Sequence, residues 1–314
     1  MSDSIAVLGS INHDIVAQAV RLPRVGETVD GRGVDMYLGG KGTNQAVQAA
    51  LLGAGVSFIG CIGTDVQGEN VRSALIGSGV DAEYLHVAAE LRTGCAVIYV
   101  DENGDNMLVY APGANKGITR EMVDAARSRI GSARVLITQN EINADMVAYG
   151  LATARELGVL TILNPAPAVP LPESVYPLID YITPNETESE AYTGILRGSL
   201  PAEQWARDNA AWFLARGVKN VVITMGEKGA YFDNGRERLF QKAFRIKAAD
   251  TTAAGDAFNG GLAFGVAGGW EIGKCMLLGS ACGALAATTV GAQNSLRPMS
   301  AVEEFLRQAG APLA

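Results

Sequence analysis

Short apolar runs alternate with turn-forming polar clusters along most of the chain. Ile5-Ala6-Val7-Leu8 reads as a buried strand and stops at Gly9-Ser10-Ile11-Asn12-His13-Asp14. Two β-like pieces, residues 15–20 and 28–36, are split by Pro23 and Gly26 and predict a ribbon. The Ala/Val/Leu stretch after Gly39-Gly40-Lys41-Gly42 predicts a helix ending near Gly53, and residues 56–62 and 66–76 predict a core strand and a helix. Residues 96–100 and 106–110 alternate well enough for a hairpin closed around Asn103-Gly104. Ribbon and hairpin together predict a small antiparallel sheet, about 12–38 and 94–112, that serves as a lid, a dimer interface or both.

From Thr119 onward strands and helices alternate in a βαβ rhythm, which predicts a mainly parallel sheet with helices on both faces. A helix over 121–130 would place Met122, Val123, Ala126 and Ile130 on one face, and one over 144–157 repeats the stripe with Met146, Val147, Leu151, Ala154 and Leu157. Strands are expected at 135–137, 159–163, 179–182 and 221–223, and helices at 257–266, 272–289 and 301–308. No repeat, low-complexity tract or linker divides residues 1–314, so a single α/β unit is expected.

Composition narrows the functional classes. With 48% hydrophobic and 18% charged residues, the 314-residue chain can bury a substantial core. Its formal charge of −8 offers no basic footprint, so neither nucleic acid nor an acidic membrane surface is an expected partner. The first residues lack a basic leader, and no apolar run approaches the ~18 residues a membrane span needs, which makes a cytoplasmic location the expectation. Cys61, Cys95, Cys275 and Cys282 are scattered in apolar settings without metal-ligand spacing, and they read as buried thiols.

Candidate chemistry gathers where the strands end. Four parallel strands would run out into Thr138–Glu141, Asn164–Pro167, Thr183–Glu188 and Thr224–Gly229, lining one edge of the sheet with polar, Pro and Gly residues. In the last cluster Gly226 and Gly229 permit close approach of a nucleotide. In the third, Asn185, Glu186 and Glu188 suit hydrated Mg²⁺ or, more plainly, the N-terminus of a helix. Lys41 and Asn44 offer donors beside a closely approached backbone, which suits a polyol; the stretch is no P-loop, because Gly42 follows the lysine. In Asp250-Thr251-Thr252-Ala253-Ala254-Gly255-Asp256, a small-residue turn enters a helix and forms a natural anion site. A carboxylate there repels an anion unless it has a proton to receive. Asp256 therefore reads either as the proton acceptor of a phosphoryl transfer or as a cap on a Gly/Ala-rich helix.

Taken together, Gly39–Ala50, Asn164–Ala168, Thr183–Glu188 and Asp250–Gly261, in this order, resemble the ribokinase or PfkB family of carbohydrate kinases over essentially the whole chain. The resemblance implies a three-layer α/β sandwich with a β-sheet lid. It implies Asp256 as catalytic base and Ala253, Ala254 and Gly255 as an anion hole. Asn12, Asp14, Gly40, Lys41, Gly42, Asn44 and Glu141 match sugar contacts. Asn185, Glu188, Thr224, Gly226, Gly229 and Ser280 fall on the nucleotide side, with Glu188 also associated with Mg²⁺. Asp250, Thr252, Ala286, Thr289, Gly291 and Ser295 match ligands of a monovalent cation, usually K⁺, many through backbone carbonyls. ATP and Mg²⁺ are the implied cofactors, a homodimer through the lid the implied assembly, and the primary 5-hydroxyl of D-ribose the implied acceptor. Deoxyribose, another sugar or a nucleoside remain alternatives, as does a sensor that has lost the reaction, against which Asp256 and its intact turn argue. His13, Thr43 and Asn140 depart from the family pattern, all expected on the sugar side, and Ser280 stands where Asn or His is common near adenine.

Overall fold

The computed structural model describes residues 4–313. The chain opens with β1 (Ser4–Leu8), β2 (Asn12–Ala19), β3 (Gly31–Gly39), α1 (Lys41–Leu51), β4 (Gly55–Gly63) and α2 (Val66–Gly77). Short strands β5 (Val80–Asp81) and β6 (Leu85–Ala88) lead to β7 (Gly94–Val100) and β8 (Asn106–Ala111). Then follow α3 (Arg120–Ala125), α4 (Arg127–Ser132), β9 (Val135–Gln139), α5 (Ala144–Glu156), β10 (Leu160–Asn164), β11 (Tyr181–Ile182), α6 (Glu186–Thr193) and α7 (Ala202–Leu214). The last part holds β12 (Asn220–Thr224), β13 (Ala230–Asp233), β14 (Arg238–Gln241), α8 (Ala254–Ala267), α9 (Ile272–Ala286) and α10 (Met299–Gln308).

The large sheet has the order β14-β13-β12-β11-β10-β9-β1-β4-β5, with β6 paired to the end of β4. From β12 to β5 every pairing is parallel, so these strands end at one edge. The fit of the apolar pattern is direct: strand residues alternate between two cores. Val7, Ile137 and Val222 join α1, α2, α8, α9 and α10 on one face. Leu8, Leu136 and Ile223 join α3 through α7 on the other, where Trp205 and Phe213 are fully buried. The outcome is a three-layer α/β sandwich.

Two local expectations change. The helix over 121–130 is interrupted at Ala126, whose φ of −89° and ψ of 3° separate α3 from α4. Val123, Ala126 and Ile130 are nevertheless all buried, so the stripe survives the break. The antiparallel edge hairpin β13–β14 is not among the expected elements, although Asn234-Gly235 between two aromatic-rich runs is a hairpin signal.

A separate four-stranded sheet, β3-β2-β7-β8, covers the ligand-facing edge. It spans 12–39 and 94–111, as the ribbon and hairpin predict, but it is not wholly antiparallel. The central strands β2 and β7 run parallel, because β2 leaves the large sheet and β7 returns from the same side. Three cysteines are buried, and Cys95 is half-buried on β7; all four are free thiols. Among the described residues no helix is long and apolar enough to cross a membrane.

Candidate active site

The β1–β2 turn and the start of α1 are pressed together, and glycines make this possible. A Cβ on Gly42 would lie 2.5 Å from the Ser10 nitrogen and 2.7 Å from Gly9, while one on Gly39 would overlap the Asp14 carboxylate. Gly40 enters the helix at φ 95°, a conformation L side chains rarely adopt. Within this crossing Glu141 Oε2 accepts from Ser10 Oγ at 2.5 Å and from the Lys41 backbone N–H at 3.1 Å. Asn12 is held by Asn115, whose Nδ2 donates to Asn12 Oδ1 at 2.9 Å and whose Oδ1 accepts from the Ile11 N–H at 2.8 Å.

Across this crossing stands the start of α8. Its N-cap, Ala253, has the left-handed φ of 59° and supplies no side-chain cap; the Ala254 N–H donates to the Thr251 carbonyl at 3.2 Å, and no side chain caps the other N–H groups of the first turn. Asp256 is buried in that first turn and does not cap it. Its Oδ2 accepts from Asn44 Nδ2 at 2.9 Å and its Oδ1 from Gln45 Nε2 at 3.0 Å. The capping alternative for Asp256 is thereby set aside.

Three cavities meet here. One of about 470 Å³ is walled by Asn12, Asp14, Gly40, Lys41, Asn44 and Glu141, with Tyr110 from the small sheet. A second, of about 190 Å³, lies under the α8 N-terminus and shares Lys41, Ala253 and Asp256 with the first. A third, of about 370 Å³, includes Asn185, Thr224, Gly226, Gly229 and Ser280, with Ala254 and Gly255 at its inner end. The second and third share Asn185, Thr224 and Gly255. The three cavities thus adjoin in a row, with Asp256 at the first junction.

The charges around that junction tune one another. Burial, then the neighbouring Glu141 and Asp256 carboxylates, push Asp14 up to about 6, against the Ala96 N–H that it accepts. Burial alone would lower Lys41, but Asp256, Glu141 and Glu188 outweigh it and hold the ammonium above its ordinary value. Burial raises Glu188 despite the Asn185 N–H and Lys41. Tyr110 is pushed up to about 12 by burial and by Glu141, so it remains a neutral donor.

The helix-terminus reading of Asn185 and Glu188 is the one their contacts display. The two form a capping box at α6: Asn185 Oδ1 accepts from the Glu188 N–H at 2.8 Å, and Glu188 Oε2 accepts from the Asn185 N–H at 2.9 Å. Asn185 Nδ2 also donates to Glu188 Oε1 at 3.1 Å, and both residues line the second cavity. Gly229, at φ 108°, lets the loop pass within contact of Gln241.

The segments that carry the expected cation ligands meet at Asp250. Asp250 accepts from the Thr252 N–H and hydroxyl at 2.9 and 2.6 Å and from the Gly291 N–H at 2.9 Å, which ties the α8 entry turn to the segment after α9. Burial would raise Asp250, but these donors hold it below the usual range. The Thr289 hydroxyl accepts from Arg297, the Ser295 hydroxyl donates to the Ala292 carbonyl and the Ala286 carbonyl accepts the Thr289 N–H. Among the described residues no cluster of three or more His, Cys, Asp or Glu is arranged for a metal.

Gly42 makes the close crossing with Gly9 and Ser10 possible. Three expectations are corrected. His13, Thr43 and Asn140 are not on the sugar side. His13 faces the opposite side of β2 from Asn12 and Asp14, toward Asp65 and Cys95. The Thr43 hydroxyl donates to the Gly39 and Gly40 carbonyls, and Asn140 Nδ2 donates to the Pro167 carbonyl and Tyr192. Ser10, Gln45, Tyr110 and Asn115 are structural partners of the site that sequence reasoning missed. For Gln45 a signal existed, since Asn44-Gln45 is a pair of adjacent amides just before an Ala/Val-rich stretch of the helix.

Comparison with known proteins agrees with this geometry. Residues 2–299 match the model of the pfkB family carbohydrate kinases. A ribokinase of Haemophilus influenzae is 38% identical over 310 residues, covering 98% of this chain and all of the relative. A deoxyribokinase of Salmonella typhi is 31% identical over 305 residues, covering 96% and 98%. The solved structure of Arabidopsis thaliana ribokinase complexed with ribose and ATP superposes with a TM-score of 0.92 at 30% identity, covering 98% of this chain and 99% of that one.

Proposed function

Because the chain belongs to the pfkB family of carbohydrate kinases, we propose that it transfers the γ-phosphoryl group of ATP to the 5-hydroxyl of D-ribose. The observation that carries the proposal is the position of Asp256 where the acceptor and anion cavities join. Ribose is favoured as acceptor by the ribokinase relatives, which reach higher identity than the deoxyribokinase. The residues suit it: Asp14 and Glu141 accept from sugar hydroxyls, while Lys41 and Asn44 donate. Asn44 Oδ1 and Asp14 Oδ1 are buried without protein partners, as acceptors awaiting hydroxyls would be.

The hydroxyl oxygen forms a bond to the γ-phosphorus as the bond from that phosphorus to the ADP oxygen breaks, and the hydroxyl proton passes to Asp256. The N–H groups of the Ala253–Gly255 turn hold the equatorial oxygens of the transferring group, that of Ala254 by exchanging the Thr251 carbonyl for the anion, and Lys41 adds a cation beside them. Positioning accounts for most of the rate gain, since a loose phosphoryl transition state needs little covalent help. ATP extends over Asn185, Thr224, Gly226 and Gly229 toward Ser280. The oxygens of Glu188 and Asn185 fit a hydrated Mg²⁺ carried by the phosphates, which supplies charge neutralisation when bound. The Asp250 turn, an oxygen-rich loop attached to the anion site, fits a monovalent cation bound largely through carbonyls.

The chain acts as one α/β unit whose lid, residues 12–39 and 94–111, covers the sugar. Lid closure excludes water that would hydrolyse ATP. The outward lid face exposes Val34, Met36, Met107 and Val109, and an apolar face of this kind suits a second copy of the chain. A cytoplasm, where ATP and K⁺ are abundant, is the working location.

The test is ADP release with Mg-ATP across ribose, 2-deoxyribose, fructose and adenosine, with and without K⁺, beside Asp256→Asn. Ribose-dependent turnover raised by K⁺ and lowered at least about 10³-fold in the variant is expected. Turnover confined to another acceptor would move the substrate, and sugar binding without turnover would make the protein a sensor.

A further inference from the structure

The mechanism uses one buried amide without explaining its neighbour. Gln45 is almost completely buried on α1, one residue beyond Asn44, and the two amides reach different oxygens of Asp256. A free carboxylate rotates about its Cβ–Cγ bond; with one N–H on each oxygen it cannot, and a lone pair on each remains for the incoming proton. Gln45 is itself oriented from two sides. Its Oε1 accepts from Gln139 Nε2 at 2.7 Å, and its Nε2 donates also to Asn164 Oδ1 at 3.1 Å. The Asn164 amide is fixed in turn, because its Nδ2 donates to the Thr183 carbonyl at 3.0 Å. No other assignment of the Gln45 amide satisfies both neighbours.

Resting on the kinase reading above, we infer that Gln45 is a positioning residue for the catalytic base, and that Gln139 and Asn164, at the ends of β9 and β10, set the direction of its amide. The chain of amides carries the geometry of the central sheet to Asp256. The acceptor is not gripped by this chain: Gln45 and Gln139 line neither the sugar nor the nucleotide cavity. A loss should therefore appear in kcat.

The experiment measures kcat, sugar KM, nucleotide affinity and Tm for Gln45→Leu, Gln139→Leu, their double variant and Gln48→Leu, using the acceptor that wild type turns over. Gln48 is a control on the same helix, equally buried, whose amide pairs with the Arg297 backbone and not with Asp256. Losing a hydrogen bond to a charged group predicts a fall in kcat of about 10- to 100-fold for Gln45→Leu, with sugar KM and nucleotide affinity within about threefold. Gln139→Leu should lower kcat about 3- to 10-fold, and the double variant should be no slower than Gln45→Leu, since Gln139 acts through Gln45. Gln48→Leu should lose Tm but keep kcat within about twofold. Equal kcat losses in Gln45→Leu and Gln48→Leu, or additive losses in the double variant, would overturn the inference and leave Gln45 a packing residue. Absence of wild-type turnover with every acceptor would overturn the kinase reading itself, a result distinct from active wild type with an indifferent Gln45→Leu.

Discussion

The helices that hold Asp256 and the sheet that covers it are built in opposite ways. Around Asp256, backbones touch: a Cβ on Gly261 would come 3.0 Å from the Gly279 Cα, and one on Gly260 would meet Gln48 and the Gln45 carbonyl. α8 is buried along nearly its whole length. In the lid, Gly26, Gly33 and Gly104 have nothing near them, and β8 is exposed at every residue. Catalysis depends on distances that must not vary, so the base sits at the head of a helix held by backbone-to-backbone packing, while Gly255 beside it faces the open cleft. Capture depends on admitting a ligand, so the covering element keeps few packed contacts and an open face. Asp14 belongs to both, since it lies on a lid strand but is half-buried against the cradle, where a Cβ on Gly39 would overlap it.

The strongest challenge to this comparison is a methyl group in the cradle. Gly42→Ala would drive a Cβ into the Ser10 and Gly9 backbone, which cannot yield as a side chain would. The expected cost is about 2–3 kcal/mol, seen as a Tm lower by at least about 4 °C, with activity impaired. Gly104→Ala, at φ 86° but in open space, should cost about 1 kcal/mol and spare kcat. Similar losses of Tm and kcat for the two would mean that cradle and lid are equally rigid.

Asp14 tests the boundary through pH. Below about 6 its carboxyl holds a proton and no longer accepts from the sugar, so kcat/KM for the sugar should fall by about tenfold per unit as pH drops through that value. Stability runs the other way. The folded-state value is raised above the ordinary one, so Asp14 contributes stability that is fully present below about 4 and lost as pH rises through about 6. Asp14→Asn should remove this acidic limb while lowering kcat/KM throughout; an unchanged limb in the variant would assign it to another group.

The smallest chemical effect is expected on the outer lid. Met36→Lys with Val109→Lys charges the exposed apolar face without entering the cleft. Light scattering should show a dimer for wild type and a monomer for the variant, with sugar KM raised only a few-fold and Tm nearly unchanged. A variant that remains dimeric would assign the interface to another surface.

Much of this protein is determined by local sequence. The alternation of apolar runs specifies the parallel strands, and because parallel strands end together, Glu141, Asn164, Asn185 and Thr224 could be assigned to one edge before any contact was known. The small-residue turn before Asp256 likewise announces a helix entry open to an anion. The tertiary structure alone decided what depends on residues far apart in the chain. Gln45 and Asp256 are 211 positions apart, and nothing local to either indicates that the amide fixes the carboxylate. Nor could spacing tell that His13 turns away from the cleft, because a neighbour in sequence lies on the opposite face of a strand. That Gly42 also carries the crossing of two backbone segments is visible only in the folded chain. Periodicity records which side of an element is buried; the partner that buries it is a property of the folded chain.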